Sequence, residues 1–167
     1  NAKASKGGAV AMGNGSQSRG DWGVAIGNGA KALAAGARAI GANSTADATN
    51  AAAMGWDSAA SGEASIAIGE TAKATKNNSI AMSKAAIAAA DDSIAIGKNA
   101  LVDTNQQRSI ALGANSKTAN VVSTPNQFVN GLWYKNLAGG SADSTLSVGS
   151  DTVKRTITNV AAGRMNA

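Results

Sequence analysis

Arg19, Gly20 and Asp21 are the residues with the clearest potential for chemistry, because many secreted proteins present this tripeptide to integrin receptors. In an exposed turn, the carboxylate could reach a receptor metal ion and the guanidinium could contact an acidic partner. Trp22 follows directly and Trp56 occupies another predicted turn, so both indoles are candidate ligand contacts. The alternative for the tripeptide is ordinary turn chemistry, in which glycine supplies an unusual φ and the carboxylate accepts from nearby N–H groups. For each tryptophan, the alternative is packing against a neighbouring chain.

No other group of residues predicts catalysis, a cofactor or a metal site. The chain of 167 residues contains neither cysteine nor histidine, which removes disulfides, thiolate or imidazole ligands, cysteine nucleophiles and histidine bases. The stretch GNGAK at 27–31 lacks the Gly-Lys-Ser/Thr ending of a phosphate loop. Asp91 and Asp92 would point to opposite sides of an extended segment. We therefore predict a protein that is not an enzyme.

Charge and hydropathy exclude two further classes. The net charge of +5 comes from scattered cations, and aromatic residues make up only 3% of the chain, so nucleic-acid binding is not expected. The sequence has no run of about 18 apolar residues and no basic-then-apolar leader. The chain is therefore not expected to span a membrane, and we expect it to be a piece of a longer protein.

Internal repetition is the dominant feature of the sequence. A tetrad of the form apolar-Ala-apolar-Gly recurs with six steps of 14 residues and a last step of 16. Small residues alternate three and five places after the tetrad glycine, so each unit is predicted to hold two very short strands joined by turns. The hexapeptide and nonapeptide solenoids of acyltransferases and calcium-binding rolls have other periods. The tetrads end at Gly13, Gly27, Gly41, Gly55, Gly69, Ser83, Gly97 and Gly113.

A unit this short cannot bury a core alone, so we expect the units to stack as coils of a parallel β-roll, about 4.8 Å apart. The alternation within the tetrad predicts interior ladders of isoleucine, with opposing alanine columns that leave room for them. Such a thin solenoid is expected to be marginally stable alone, which favours lateral association of chains. The predicted interior residues are Ile26, Ile40, Ile66, Ile68, Ile80, Ile94, Ile96, Ile110 and Leu112.

A column of positive charge appears when the units are superposed. Four places after the tetrad glycine, or its inferred equivalent, stand Lys3, Lys31, Lys73 and Lys117. Their neighbours on both sides are the predicted inward residues, so these lysines should point outward. Such a face could attract acidic glycans or matrix proteins with salt-sensitive strength. The alternative is that the lysines keep the roll soluble and protect it from edge pairing.

Residues 123–146 interrupt the repeats and concentrate the aromatic residues. They include Phe128, Trp133 and Tyr134, together with the single proline of the chain. Such a cluster could be a ligand platform. The alternative is a packed insertion or hairpin that seals the last coil and bridges subunits.

Units such as SIAIGETAKATKNN and SIAIGKNALVDTNQQR, with the later stretch LSVGSDTVKRTITNVAAG, closely resemble known adhesin sequences. They are similar to the head repeats and neck of trimeric autotransporter adhesins, the YadA-like surface proteins of Gram-negative bacteria. On this resemblance the chain divides into head repeats at 1–122, an aromatic insertion or cap at 123–146, a neck at 147–163 and the start of a stalk at 164–167.

The resemblance implies an all-β fold, a left-handed parallel β-roll that forms a homotrimer and ends in a neck leading to a coiled coil. Val153, Ile157 and Val160 are spaced by four and three residues, as at the opening of a heptad seam, and are the expected trimer contacts of the neck. The resemblance also implies exposure on the bacterial cell surface, with an outer-membrane barrel, missing from this sequence, as the anchor.

The implied function is adhesion to host cells or extracellular matrix, through a receptor or a glycan. The alternative is a spacer that binds nothing itself and projects other adhesive domains from the cell surface.

Overall fold

The structure is a computed structural model that describes residues 1–137 and 140–161, and its repeats form a stack of two-strand coils. Each coil contributes one strand of two residues and one of three residues. Strands this short are not stable alone, so pairing between coils must stabilise the stack. The strands of two residues are β1 (Lys3–Ala4), β3 (Gln17–Ser18), β5 (Lys31–Ala32), β7 (Thr45–Ala46), β9 (Ala59–Ala60), β11 (Lys73–Ala74), β13 (Ile87–Ala88), β15 (Leu101–Val102) and β19 (Leu146–Ser147). The longer strands are β2 (Val10–Met12), β4 (Val24–Ile26), β6 (Arg38–Ile40), β8 (Ala52–Met54), β10 (Ile66–Ile68), β12 (Ile80–Met82), β14 (Ile94–Ile96), β16 (Ile110–Leu112), β17 (Asn126–Val129) and β18 (Leu132–Lys135).

Two parallel sheets run the length of the stack. The short-strand sheet joins the odd-numbered strands from β1 to β15 in order, and the tetrad sheet joins the even-numbered strands from β2 to β16 and ends with β19. The register advances by one repeat per coil, so that Ile66 pairs with Ile80. At the 16-residue step Ile94 still pairs with Ile110, and the extra residues are taken up in the turn between β15 and β16. The predicted parallel β-roll of 14-residue repeats is confirmed.

The interior of the roll is built from alanine and serine, and the prediction of interior isoleucine ladders is wrong. Ala67 is fully buried, whereas Ile66 and Ile68 on either side of it are half-buried and face outward. The two sheets approach so closely that the inward positions accept small side chains, and Val102 is the largest side chain that is fully buried. The same correction applies to Ile26, Ile40, Ile80, Ile94 and Ile110, which are half-buried, and to Ile96 and Leu112, which are exposed.

Each coil turns at two corners that lie seven residues apart and adopt the left-handed conformation. In one coil these residues are Asn43 (φ 55°) and Asn50 (φ 58°). The corners are hydrogen-bonded between coils as the strands are, since the Asn43 amide donates to the Asn28 carbonyl at 2.8 Å. A third special position is the tetrad glycine: Gly41 has φ 131°, and a Cβ there would lie 2.5 Å from the Gly55 carbonyl oxygen. Both the positive φ and the close approach of the next coil therefore require glycine at this position.

Buried serines reinforce the corners. The hydroxyl of Ser44 donates to the Gly41 carbonyl at 2.9 Å, and that of Ser58 donates to the Gly55 carbonyl at 3.0 Å. These bonds satisfy a buried hydroxyl, which would be costly to leave unpaired, and each glycine carbonyl also accepts from the backbone amide of the same serine. Ser18 is different, because its buried hydroxyl oxygen has no hydrogen-bond partner.

The last coil of the roll is closed by residues that follow the insertion. In β19, Leu146 pairs with Ile110, and the Ile110 amide donates to the Thr145 carbonyl at 2.8 Å. The Lys117 amide donates to the Gly149 carbonyl at 2.7 Å. The segment that seals the roll therefore comes from the junction of the predicted insertion and neck, and not from the aromatic residues.

The aromatic residues form an exposed β-hairpin. Strands β17 and β18 are antiparallel and joined by Asn130 and Gly131, which both have positive φ as a type I′ turn requires. Phe128 pairs with Trp133, and their ring centroids are 5.2 Å apart. Neither strand contacts any other strand of the described chain. In the single chain the hairpin is thus a free surface element.

From Ser150 to Ala161 the described chain has no further strand or helix. Val153 is half-buried, while Ile157 and Val160 are 68% and 69% exposed. The seam expected from these three residues requires partner chains, so it stays a prediction. The end of the predicted neck and the predicted stalk at 164–167 lie outside the described residues.

Arg155 ties this C-terminal segment to the end of the roll. Its guanidinium lies against Gly113 and donates to the Ser116 hydroxyl at 3.1 Å and to the carbonyls of Ala114 and Val148. Charge-assisted bonds to backbone carbonyls are among the stronger hydrogen bonds in proteins. Arg155 is therefore the main polar anchor between the segment after β19 and the last coil.

Candidate adhesive surface

The Arg19-Gly20-Asp21 tripeptide lies along the corner that leads from β3 to β4. Arg19 and Asp21 are exposed, whereas Gly20 between them is buried. The Arg19 amide donates to the Ala32 carbonyl at 2.8 Å, so the tripeptide begins as a continuation of the β3 ladder. A Cβ on Gly20 would lie 1.8 Å from the Ala34 carbonyl oxygen, and its φ is not positive. Close backbone approach, and not the predicted unusual φ, therefore requires glycine here.

Trp22 is the most exposed of the aromatic side chains at the corners, with 74% of its surface accessible. Its indole lies against the preceding coil, where a Cβ on Gly8 would be 2.6 Å from the ring. Its backbone has φ 52°, a conformation that costs a bulky residue about 1 kcal/mol. Trp56 is 52% exposed but lies on the opposite corner, between β8 and β9. The structure does not bring the two indoles together, and their ligand roles stay predictions.

The four predicted column lysines share the outward side of the short-strand sheet. Lys3 and Lys31 are linked in register through Gln17, and Lys73 lies three coils further along the same column. Lys117 continues the column through its bridge to Leu101. The residues beside them, such as Ala32 and Ala74, are fully buried, so the predicted outward direction is correct. Lys117 also forms an ion pair with Asp103 at 3.4 Å. Ligand binding by this column stays a prediction.

Two ladders, apolar except at Arg38, run along the outward side of the tetrad sheet, and we call this surface the isoleucine face. One ladder contains Ile66, Ile80 and Ile94 in consecutive coils, and the other contains the third residue of each tetrad strand. Sequence reasoning missed this surface because it placed the isoleucines inside. The signal that could have found it is the alanine at the centre of every tetrad, which is the smallest side chain and fits the narrow interior. The most exposed members of the two ladders are Val10, Met12, Met54, Met82, Ile96 and Leu112.

A polar groove of about 710 Å³ lies between the last coils and residues 150–153. Its walls include Asn99 and Asn115, whose side-chain amides share a hydrogen bond of 3.0 Å. The Gln106 side chain also lines it, and its buried carbonyl oxygen has no partner in the structure. Because one wall is built by the predicted neck, the groove belongs to the junction between roll and neck.

Within residues 1–137 and 140–161 there is no cluster of three or more acidic residues that could hold a metal ion. In the same ranges, no helix has the length and apolar character needed to cross a membrane.

Comparison with known proteins identifies the repeats. Residues 36–58, 60–82 and 84–100 match the YadA head domain repeat. A stretch of 53 residues, 32% of this chain, is 49% identical to the autotransporter adhesin BtaE of Brucella suis biovar 1, and the match spans 7% of that adhesin.

The fold has a solved counterpart in the collagen-binding domain of the Yersinia adhesin YadA. The likeness covers 92% of this chain and 81% of that domain, with 27% sequence identity and a TM-score of 0.63. The coils, the tetrad sheet and the repeat motif thus agree with the resemblance noted in the sequence. Residues 36–100 are thus similar to YadA head repeats, and the chain as a whole is similar in fold to a solved YadA domain.

Proposed function

We propose that three copies of this chain associate through their isoleucine faces and form an adhesive head that contacts host cells or extracellular matrix. Large contiguous apolar surfaces on soluble proteins mark interaction sites, and the third-residue ladder of the isoleucine face is apolar in every coil from β2 to β16. Arg38 is the charged residue in the other ladder, where it pairs with Val24 and Ala52. Closed symmetry would place the three faces around one axis and remove them from water. The seam residues Val153, Ile157 and Val160 would continue that axis into the neck.

The surfaces left free by this assembly are the short-strand sheet and the corners. They carry the column lysines, Arg19, Asp21 and the exposed indoles of Trp22 and Trp56. The observation that supports adhesion most strongly is the likeness, over 92% of this chain, to a domain described as collagen-binding. Charged and aromatic groups on a rigid scaffold suit contact with a matrix protein or a cell-surface receptor.

Attachment of coated beads tests this function directly. Beads carrying the 167-residue chain should adhere to one or more of collagen, fibronectin, laminin or epithelial cells, whereas beads carrying an unrelated protein of equal net charge should not. Light scattering should give three times the mass of one chain. A monomer in solution would contradict the assembly, and beads that attach to nothing would contradict adhesion.

A spacer is the second candidate function, and the regularity of the coils favours it. Coils stacked about 4.8 Å apart make a rod that can hold another domain away from the cell without binding anything itself. A spacer would be trimeric and stable but its beads would not attach, so the same experiment separates the two functions.

Exposure on the bacterial cell surface follows from the proposed role, with a membrane anchor supplied by another part of the full protein. The family and the fold point to a protein without enzymatic activity. We propose no cofactor and no nucleic-acid partner, and the partners are host matrix, receptor or glycan.

A further inference from the structure

The N-terminal coils carry a group of cations on the short-strand sheet. Lys3, Gln17 and Lys31 are consecutive partners in one outward column. Arg19 is two residues beyond Gln17, and because the intervening Ser18 points inward, Arg19 lies on the same outward side. We call these four residues the cationic patch.

The spacing within the cationic patch follows from the regular stack. Adjacent coils are about 4.8 Å apart, so the Cα atoms of Lys3 and Lys31 are separated by about 10 Å. Along the axis of the stack, Arg19 lies midway between the two lysines, and it is about 7 Å further along the strand direction. Lys3, Arg19 and Lys31 are all exposed, and Gln17 between the two lysines is half-buried. The patch is therefore a flat triangle of cations, with one amide on the side that joins the two lysines.

The positive charge of the patch is not neutralised by neighbouring residues. Among the described residues the ion pairs are Lys84 with Glu70 and Lys117 with Asp103, and neither involves the patch. The carboxylates on the adjoining elements are Asp21, at the next corner, and Asp47, one coil beyond Lys31. Three exposed cations without an ion pair leave a local positive potential that can attract a multiply charged anion.

We propose that the cationic patch binds a linear sulfated polysaccharide that lies along the axis of the stack, across the strands. This inference rests on the proposed adhesive function and names the ligand class of one of its surfaces. The guanidinium of Arg19 offers paired donors to an oxyanion, and the two ammonium groups act as point charges for further sulfates. The Gln17 amide lies where it can hydrogen-bond a sugar hydroxyl between them.

The flat shape and dense charge of the patch select this ligand over others. A small anion needs an enclosing pocket, whereas a long chain gains affinity from several weak contacts on an open surface. A polysaccharide whose charges are widely spaced carboxylates cannot present three anions within about 10 Å. The four patch residues include no aromatic side chain on which nucleic-acid bases could stack, and the nearby indole of Trp22 lies against Gly8 at the next corner.

The proposal gives Arg19 a role that does not depend on Asp21. An integrin contact would need the carboxylate of Asp21, while a polyanion site is opposed by it. Replacement Asp21→Asn should therefore leave binding to a sulfated glycan unchanged or raise it up to about twofold. The same replacement should reduce any attachment that depends on the tripeptide.

Retention of the 167-residue chain on immobilised heparin tests the proposal. The variant Lys3→Gln/Arg19→Gln/Lys31→Gln should bind about tenfold more weakly than the unchanged chain, with a reduced dependence on salt. The matched control Lys76→Gln/Lys98→Gln/Lys135→Gln removes the same charge from exposed sites outside the patch and outside the lysine column, and should change the affinity by less than about twofold. Thermal unfolding should be the same for both variants, because all the replaced side chains are exposed.

Several outcomes would overturn the proposal. Equal losses in the two triple variants would assign heparin binding to net charge alone, and no loss in either would exclude the patch. Equal affinity for hyaluronan, which carries carboxylates only, or for single-stranded DNA would exclude selection of sulfated glycan. Two readouts keep this proposal separate from the proposed function. A patch variant that keeps its full retention on heparin refutes the patch alone, whereas unchanged beads that bind heparin but no cell or matrix protein refute adhesion alone.

Discussion

At the scale of single residues, the coils differ in how well their buried polar groups are hydrogen-bonded. Most inward positions of the short-strand sheet hold alanine, as at Ala32 and Ala46, but Ser18 occupies the equivalent place. Its hydroxyl is fully buried and has no partner, whereas the Ser16 hydroxyl donates to the Gly13 carbonyl at 2.9 Å. An unpartnered buried hydroxyl is destabilising, and a bonded one is stabilising.

Replacement Ser18→Ala should therefore raise the free energy of unfolding by about 1 kcal/mol. The control Ser16→Ala should lower it by about 1 kcal/mol, because it removes the hydroxyl's hydrogen bond to the Gly13 carbonyl, which then keeps only the bond from the backbone amide of residue 16. Urea unfolding at one fixed protomer concentration measures both changes. A loss of stability in Ser18→Ala would show that its hydroxyl has a partner in solution.

Ser83 is a second residue at which the coil departs from its own pattern. It replaces the tetrad glycine and has φ 107°, a region that residues with a side chain rarely adopt. We expect Ser83→Gly to raise the unfolding free energy by about 1 kcal/mol, since relief of strain exceeds the added flexibility of the unfolded chain. The reverse change in the preceding coil, Gly69→Ser, places a Cβ 2.6 Å from the Ser83 carbonyl carbon and should lower stability by about 2 kcal/mol. Thermal melting of the two variants tests whether their stability changes in opposite directions. A lower melting temperature for Ser83→Gly would show that the backbone at Ser83 is not strained.

At the scale of the elements, the tetrad sheet shows how far the sequence could be interpreted. The period of two correctly placed Ile66 and Ile68 on one side and Ala67 on the other. The period does not say which side is inside, and apolar character favoured the isoleucines. The distance between the two sheets determines which side faces the interior. The small residues of the opposite strand, such as Ala74, bring the sheets so close that no branched side chain fits between them.

For the candidate surface, the directions of side chains within one strand could be predicted, whereas contacts between coils could not. The outward direction of Lys31 and Lys73 follows from alternation within one strand and was correct. The burial of Gly20 was not predictable, because it depends on where the Ala34 carbonyl of the next coil lies. The closure of the roll by β19 was also missed, since pairing across the long insertion has no local signal.

The isoleucine face gives a prediction for assembly. Replacement of the paired residues Ile66→Ser and Ile80→Ser should shift the protein from trimer to monomer, since each buried isoleucine contributes about 2 kcal/mol to an apolar interface. The matched control is Ile87→Ser with Leu101→Ser, a paired and half-buried couple on the short-strand sheet, which should leave the trimer intact. Sedimentation at several protein concentrations measures the oligomeric state of both double variants. Dissociation in the control alone would place the interface on the short-strand sheet.

At the scale of the whole molecule, the hairpin and the C-terminal segment should differ in their effect on stability. Replacement of residues 126–135 by a short Gly-Ser linker should change the melting temperature by less than about 2 °C, because β17 and β18 contact no other described strand. A large loss on hairpin removal would mean that the hairpin packs on a partner chain.

Arg155→Ala should lower the melting temperature by several degrees, since it removes the guanidinium bonds to the last coil.

The hydrogen bonds between coils also determine how the head should respond to mechanical force. They run along the axis of the stack at strands and corners alike, for example from Lys31 to Ser44 and from Asn43 to Asn28. Tension applied between the two ends of one chain would therefore load a single coil boundary at a time, and the roll would peel from its end. Each released coil would add about 50 Å of contour length. In a trimer the neighbouring chains would hold each loosened coil in place. Lateral association would therefore raise the force at which the coils separate, so that the head stays folded when fluid flow pulls on an attached cell.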